Sequence, residues 1–281
     1  MPDNNVLITG TPRSGTTMTC HLLNMLPETV ALHEPMQTGQ LKGQDGPAAA
    51  VARFCEEQRQ SILEHGRAIS KHAGGAVPAN PVGTIRSDSG LRKRVVSKGE
   101  IAIDKELSPD FILAVKHCGS FTATLDRLVT CFPVYAIVRN PLAMLASWST
   151  VEFAVQRGHV PVAEGLDPDL KATLASIDDV LDRQIQVLIW FHERIRRYLP
   201  EEAIIRYESI VETGGKALAV VHPGAASLAE PLQSQNTSDL YDHERMLRIG
   251  ERLLKSEGAH WESYSKESVE RLLEELTAAR S

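Results

Sequence analysis

The stretch Val6-Leu7-Ile8-Thr9-Gly10-Thr11-Pro12-Arg13-Ser14-Gly15-Thr16-Thr17 decides the fold of this chain. Val6 to Ile8 are apolar and mostly β-branched, too short a run for a helix, and read as a buried parallel strand. Beyond Thr16 the apolar positions Met18, Leu22, Met25 and Leu26 recur at helical spacing and define one face of a helix. A strand, a glycine-bracketed turn and a helix together make an anion site. The turn amides and the positive end of the helix point at the same place.

Gly10 and Gly15 are four residues apart, as in a Walker A loop, but Thr16 stands where that loop carries lysine. Without the lysine the grip on a triphosphate is missing, and the nearest cation is Arg13 inside the turn. Thr11-Pro12-Arg13-Ser14-Gly15-Thr16-Thr17 resembles the 5′-phosphosulfate loop of sulfotransferases that use 3′-phosphoadenosine 5′-phosphosulfate (PAPS). It has the Pro-Arg-Ser-Gly-Thr-Thr form of bacterial and Golgi-type members. The resemblance implies PAPS as co-substrate, adenosine 3′,5′-bisphosphate as product, no metal, and a second motif: a strand ending in arginine with a serine eight residues later.

Val134 to Val138 is a buried strand that ends at Arg139. Asn140 caps the next helix, Pro141 opens it, and Ser147 lies eight residues beyond Arg139, two turns in. A phosphate between Arg139 and Ser147 would take charge from one and a hydroxyl bond from the other. Two further strands deliver chemistry at their carboxyl ends, where an open parallel sheet binds ligands. Thr29 to Leu32 leads into His33-Glu34, and Phe111 to Val115 leads into Lys116-His117. Lys116 can stabilise the oxygen that leaves, and Glu34 can deprotonate an acceptor hydroxyl, with His117 a competing base. The resemblance implies these same roles for a lysine and a glutamate at about these points. It also places Tyr207 near the nucleotide and a late polar loop, Leu232 to Asp239, over it. The Arg-Lys-Gly sequence of cytosolic members is absent, which leaves Ser234 and Asn236 as candidates to assist Arg139.

The rest of the chain bounds the reading. At 281 residues, with 42% hydrophobic and 23% charged residues, it suits one α/β domain: a P-loop-like, mostly parallel sheet with helices on both faces. A net charge of −6 argues against a general nucleic-acid binder. The first residues lack signal-peptide character, no apolar run is long enough to span a membrane, and the four cysteines form no C-x-x-C pair. These observations predict a cytoplasmic protein with its cysteines as small core residues. Gly39 to Ala50 reads as a loop, Val51 to His72 as a helix, and Gly74 to Arg94 shows no periodicity. The resemblance implies that residues 38–98, an insertion between the second and third strands, line the acceptor pocket; the basic run Arg86, Arg92, Lys93, Arg94 and Lys98, by itself a common solvated face, would then suit an anionic acceptor. Further on, the pattern predicts a helix over Thr122 to Cys131, a mobile Gly/Pro-rich segment over Gly158 to Asp169, and a long helix over Ile177 to Leu199. A strand over Ala203 to Tyr207 and helices over Asp242 to Glu257 and Lys266 to Ala279 complete the chain. The acceptor is left open among small molecules, sugars and lipids. Two rivals to the sulfotransferase reading stand: a magnesium-dependent P-loop kinase or nucleoside triphosphatase with an altered Walker A, and a nucleotide-binding module without turnover.

Overall fold

The computed structural model describes residues 4–278. The chain begins with β1 (Asn5–Gly10), α1 (Thr16–Leu23) and β2 (Thr29–His33). Next come α2 (Gly46–His65), β3 (Arg67–His72), β4 (Val82–Arg86), β5 (Arg92–Arg94) and β6 (Ser97–Ala102). The middle holds β7 (Ile112–Lys116), α3 (Gly119–Ala123), α4 (Leu125–Leu128), β8 (Val134–Val138) and α5 (Pro141–Trp148). It continues through α6 (Pro161–Glu164), α7 (Pro168–Ala175), α8 (Val180–Tyr198), β9 (Ile204–Arg206) and α9 (Tyr207–Glu212). The described chain closes with α10 (His243–Leu254), α11 (His260–Ser263) and α12 (Lys266–Ala278); Ala279, predicted as the end of the last helix, lies outside the described residues.

Five strands form one parallel sheet in the order β2-β7-β1-β8-β9. Because successive side chains leave a strand on opposite faces, the apolar runs split between two cores. Leu7, Leu32, Leu113, Val115 and Val138 pack with Val51 and Phe54 of α2 and Leu125 and Leu128 of α4. Val6, Ile8, Ala114 and Ile137 pack on the other face with Cys20, Leu22 and Leu23 of α1. Each fully buried Leu or Ile in such a layer contributes about 1.5–3 kcal/mol. A third cluster joins α5, α8, α10 and α12 through Leu142, Trp148, Phe191, Leu253 and Leu272.

The helix after β1 therefore covers one face, and the helices after the neighbouring β7 cover the other. The chain parts between their carboxyl ends, and a crevice opens there. This is the α/β architecture that the sequence predicts, with the central sheet parallel throughout.

Several local expectations change. The helix predicted over Val51 to His72 begins earlier, at Gly46 with Pro47 in its first turn, and stops at His65. Gly66 takes the left-handed conformation, φ 62°, and ends the helix, so residues 67–72 are strand β3. The aperiodic stretch Gly74 to Arg94 contains the short antiparallel pair β4–β5, and β3 pairs with β6 in the same sense. The helix expected over Thr122 to Cys131 breaks at Thr124, whose hydroxyl bonds back to Ser120 O at 2.9 Å. Gly158 to Asp169, read as a mobile segment, carries α6 and the start of α7, whose first turn Asp167 caps. Tyr207 opens α9 instead of ending a strand. Cys20, Cys55 and Cys118 are buried, but Cys131 is exposed.

Candidate active site

The glycine-bracketed turn is shaped by contacts that only its residues permit. Gly10 has φ 136°, and a Cβ there would sit 2.2 Å from Ile137 O on β8. Gly15 has φ 95°, with Tyr207 so close that a Cβ would lie 2.8 Å from its ring. Ser14 N–H turns back to Thr11 O, the Ser14 hydroxyl donates to Ile137 O at 2.7 Å, and Trp148 Nε1–H donates to Pro12 O at 2.7 Å. These bonds fasten the turn to β8 and α5. Arg13, a non-glycine residue, is held at φ 74°. No side chain caps the N-terminus of α1, and Gly15, Thr16 and Thr17 line the crevice. The buried Thr11 hydroxyl has no partner among the described residues.

The two motifs that the sequence separates meet here. Arg13 Nε–H donates to the Ser147 hydroxyl at 3.3 Å, and Arg139 Nη1–H donates to Arg13 O at 3.1 Å. Asn140 caps α5 as expected, accepting from Leu142 N and Ala143 N, and so sets where Ser147 stands. Arg139 is buried over the Tyr207 ring, 4.6 Å from its centroid. It also donates to Asn236 Oδ1 at 2.8 Å, Gln235 O at 2.6 Å and Tyr241 OH at 3.3 Å. Gln235 N–H in turn donates to Tyr207 OH. The late loop is thus latched onto Arg139 through Gln235 and Asn236. Ser234 does not line the crevice; its hydroxyl accepts from Asn236 N–H within the loop.

On the opposite side, Glu34 has φ 45° and its N–H donates to Lys116 O. Its carboxylate bridges two ammonium groups: Lys116 Nζ at 3.0 Å on one oxygen and Lys71 Nζ on the other. Burial alone would raise the Glu34 carboxyl, but Lys116 and Lys71 hold it well below its ordinary value. Lys116 is 3% exposed; burial works against its charge, yet Cys118 and Glu34 together hold it above the usual lysine range. Lys71 comes from β3, in the stretch whose periodicity reads as helix, so periodicity does not bring it to the site. The readable signal is Gly66, a helix stop that frees residues 67–72 to be a strand.

His33 and His117 flank the triad. Burial, first, and then Lys116 push the His33 imidazole down to about 2. Burial pushes His117 down to about 3, and its Nε2 accepts from Met36 N–H at 3.1 Å. With Nε2 accepting, the ring proton is on Nδ1, and His117 presents no free lone pair in this arrangement. Arg13, Arg139, Ser147 and Tyr207 on one side and the triad with His33 and His117 on the other line one cavity of about 900 Å³, whereas Thr11 and Ser14 lie behind its wall. Thr38, Gly39, Asn80, Arg92, Arg94 and Lys98 of the 38–98 segment line it together with Phe153, Val155 and Val160. Among the described residues no cluster of three His, Cys, Asp or Glu side chains has the makings of a metal site.

No protein-family model and no curated protein matches the chain. Among solved structures it is similar to the sulfotransferase STF9 from Mycobacterium avium, with a TM-score of 0.34 and 13% identity over 99% of this chain and 77% of that one. Likeness at this level carries no weight for function, which has to rest on the chain's own residues.

Proposed function

We propose that this chain transfers a sulfuryl group from PAPS to a hydroxyl or amine of a small-molecule, sugar or lipid acceptor. One observation carries the reading. Arg13 of the first motif reaches Ser147 of the second across one crevice, and the Lys71–Glu34–Lys116 triad stands in the wall of the same crevice. A nucleotide with anionic groups at both ends, and a reacting bond between them and a base, needs this combination of groups.

In the proposed reaction Arg13 and the turn of Thr11 to Thr17 hold the 5′-phosphosulfate. Arg139 and Ser147 hold the 3′-phosphate, and Tyr207 supports Arg139 from below. The acceptor oxygen attacks sulfur, the bond from sulfur to the bridging oxygen breaks, and that oxygen leaves on the 5′-phosphate. Lys116 stabilises the charge that appears there, an effect larger in the transition state than in the ground state. The acceptor proton goes to Glu34. A carboxylate clamped by two ammonium groups is a weak base. When Lys116 turns from Glu34 to the leaving oxygen, the carboxylate loses a partner and gains basicity as the reaction needs it. Glu34 is preferred to His117 because one of its neighbours is free to change partner, whereas His117 accepts at Nε2 and so carries its proton on Nδ1, leaving no lone pair for the acceptor.

The test is release of adenosine 3′,5′-bisphosphate from PAPS across a panel of hydroxylated and amine acceptors, with Glu34→Gln as comparison. The expected loss of turnover in the variant is about 10²-fold or more, with bisphosphate binding retained. Full turnover in Glu34→Gln would overturn the base assignment. Binding without release for every acceptor would leave a nucleotide-binding module in place of an enzyme.

A further inference from the structure

Three arginines gather at the end of the crevice where Ser147 stands: Arg13, Arg139 and Arg92. Among the described residues none of them pairs with a carboxylate, whereas the buried Lys116 in the same crevice wall pairs with Glu34. Arg92 stands out further. It lies on the short strand β5 in the segment between β2 and β7, and only 7% of it is exposed.

Its guanidinium has a single protein partner: Nη2–H donates to the Thr150 hydroxyl at 2.9 Å, and the buried Nε–H has none. Arg139, by contrast, spends its donors on Asn236, Gln235, Tyr241 and Arg13. The anchoring of Arg92 is specific. Thr150 donates its own hydroxyl proton to Ser147 O at 2.9 Å. Arg92 N–H donates to Thr150 O, and its carbonyl accepts from Glu152 N–H. Backbone and side chain alike tie Arg92 to the chain that leaves Ser147.

A buried cation without a counter-charge is costly, and several guanidiniums side by side add repulsion. Burial, then Arg139 and Arg92, lower the Arg13 guanidinium to about 10. Such a cluster suits a doubly charged anion. A phosphomonoester carries about −1.5 to −2 at neutral pH, whereas the inner phosphate of a phosphosulfate carries a single charge. We propose that Arg92 completes the 3′-phosphate site and is a residue that makes the chain select a nucleotide bearing a 3′-phosphomonoester over one without it. This rests on the donor reading above; it supplies from the middle of the chain the cation that the missing late Arg-Lys-Gly sequence does not.

The experiment is metal-free calorimetric titration of the wild-type chain, Arg92→Gln and Arg92→Lys with adenosine 3′,5′-bisphosphate and with adenosine 5′-monophosphate. Melting curves are recorded in parallel. Wild type is expected to prefer the bisphosphate by at least about tenfold, and Arg92→Gln to lose about 10- to 100-fold in bisphosphate affinity with the monophosphate unchanged. Arg92→Lys keeps the charge but not the planar fork, and restores only part of the preference. Without nucleotide, Arg92→Gln should melt no lower than wild type, because both backbone bonds of residue 92 remain and an unpaired charge is gone. An Arg92→Gln variant that keeps the full preference overturns the proposal while sparing sulfuryl transfer. So does one that weakens both nucleotides equally, or one that alters only the acceptor KM. A wild-type chain with no preference for the bisphosphate would bring down both readings.

Discussion

Glu34 shows how far a single residue's chemistry is set by neighbours that the sequence does not bring near it. Its carboxylate is held below the ordinary range by Lys116 and Lys71 against the opposing effect of burial. The active form is the anion, so activity should persist on acidification through the usual carboxylate range near pH ~4.3 and fall only below it. Lys71→Met removes one cation and raises the Glu34 pKa. The acid limb of the kcat/KM profile should therefore move to higher pH, and a limb that stays in place would show that Glu34 is not the group titrating. The same depressed pKa makes Glu34 a source of stability that is present above its unfolded-state value and is lost as pH falls through the folded one. Lys71→Met should shrink that acid-side loss as measured by denaturant melts at successive pH values.

At the scale of elements, the turn and the helix behind it are held by few, specific bonds. Asn140→Ala removes the cap that Leu142 N and Ala143 N share, at a cost of about 1 kcal/mol in a chemical melt. Because α5 carries Ser147 and its Trp148 fastens Pro12, the same variant should weaken bisphosphate binding. Gly10→Ala would push a Cβ into the backbone of β8 at a positive φ, costing about 3 kcal/mol or more. A melt within about 1 kcal/mol of wild type would contradict this reading of the turn.

The strand ends at Gly10, Glu34, Lys116 and Arg139 are legible because a buried strand and the residue that ends it are adjacent in sequence. Period and punctuation carry that information locally. The segment between β2 and β7 was not legible for the opposite reason. The strands β3 to β6 are short and polar, they pair with each other, and residues such as Lys71 and Arg92 gain their meaning from partners 37 and 58 positions away.

For the molecule as a whole, the sheet order puts the two motifs at the adjacent carboxyl ends of β1 and β8, and one ligand spanning both should tie β1, α1, β8 and α5 together. Bisphosphate at a hundred times its Kd should then stabilise the fold by about 2.7 kcal/mol. A thermal melt should rise by several degrees, roughly 2–4 °C per kcal/mol for a domain approaching this size. No helix among the described residues is long and apolar enough to cross a membrane.

The most direct measurement is calorimetric titration with adenosine 3′,5′-bisphosphate in chelator, set against ATP with magnesium, for the wild-type chain and for Arg13→Ala and Arg139→Ala. Tight bisphosphate binding without metal, lost in both variants, is the predicted result. Preference for magnesium ATP, or bisphosphate binding that survives both substitutions, would contradict the account and point to a P-loop kinase or to a nucleotide held elsewhere.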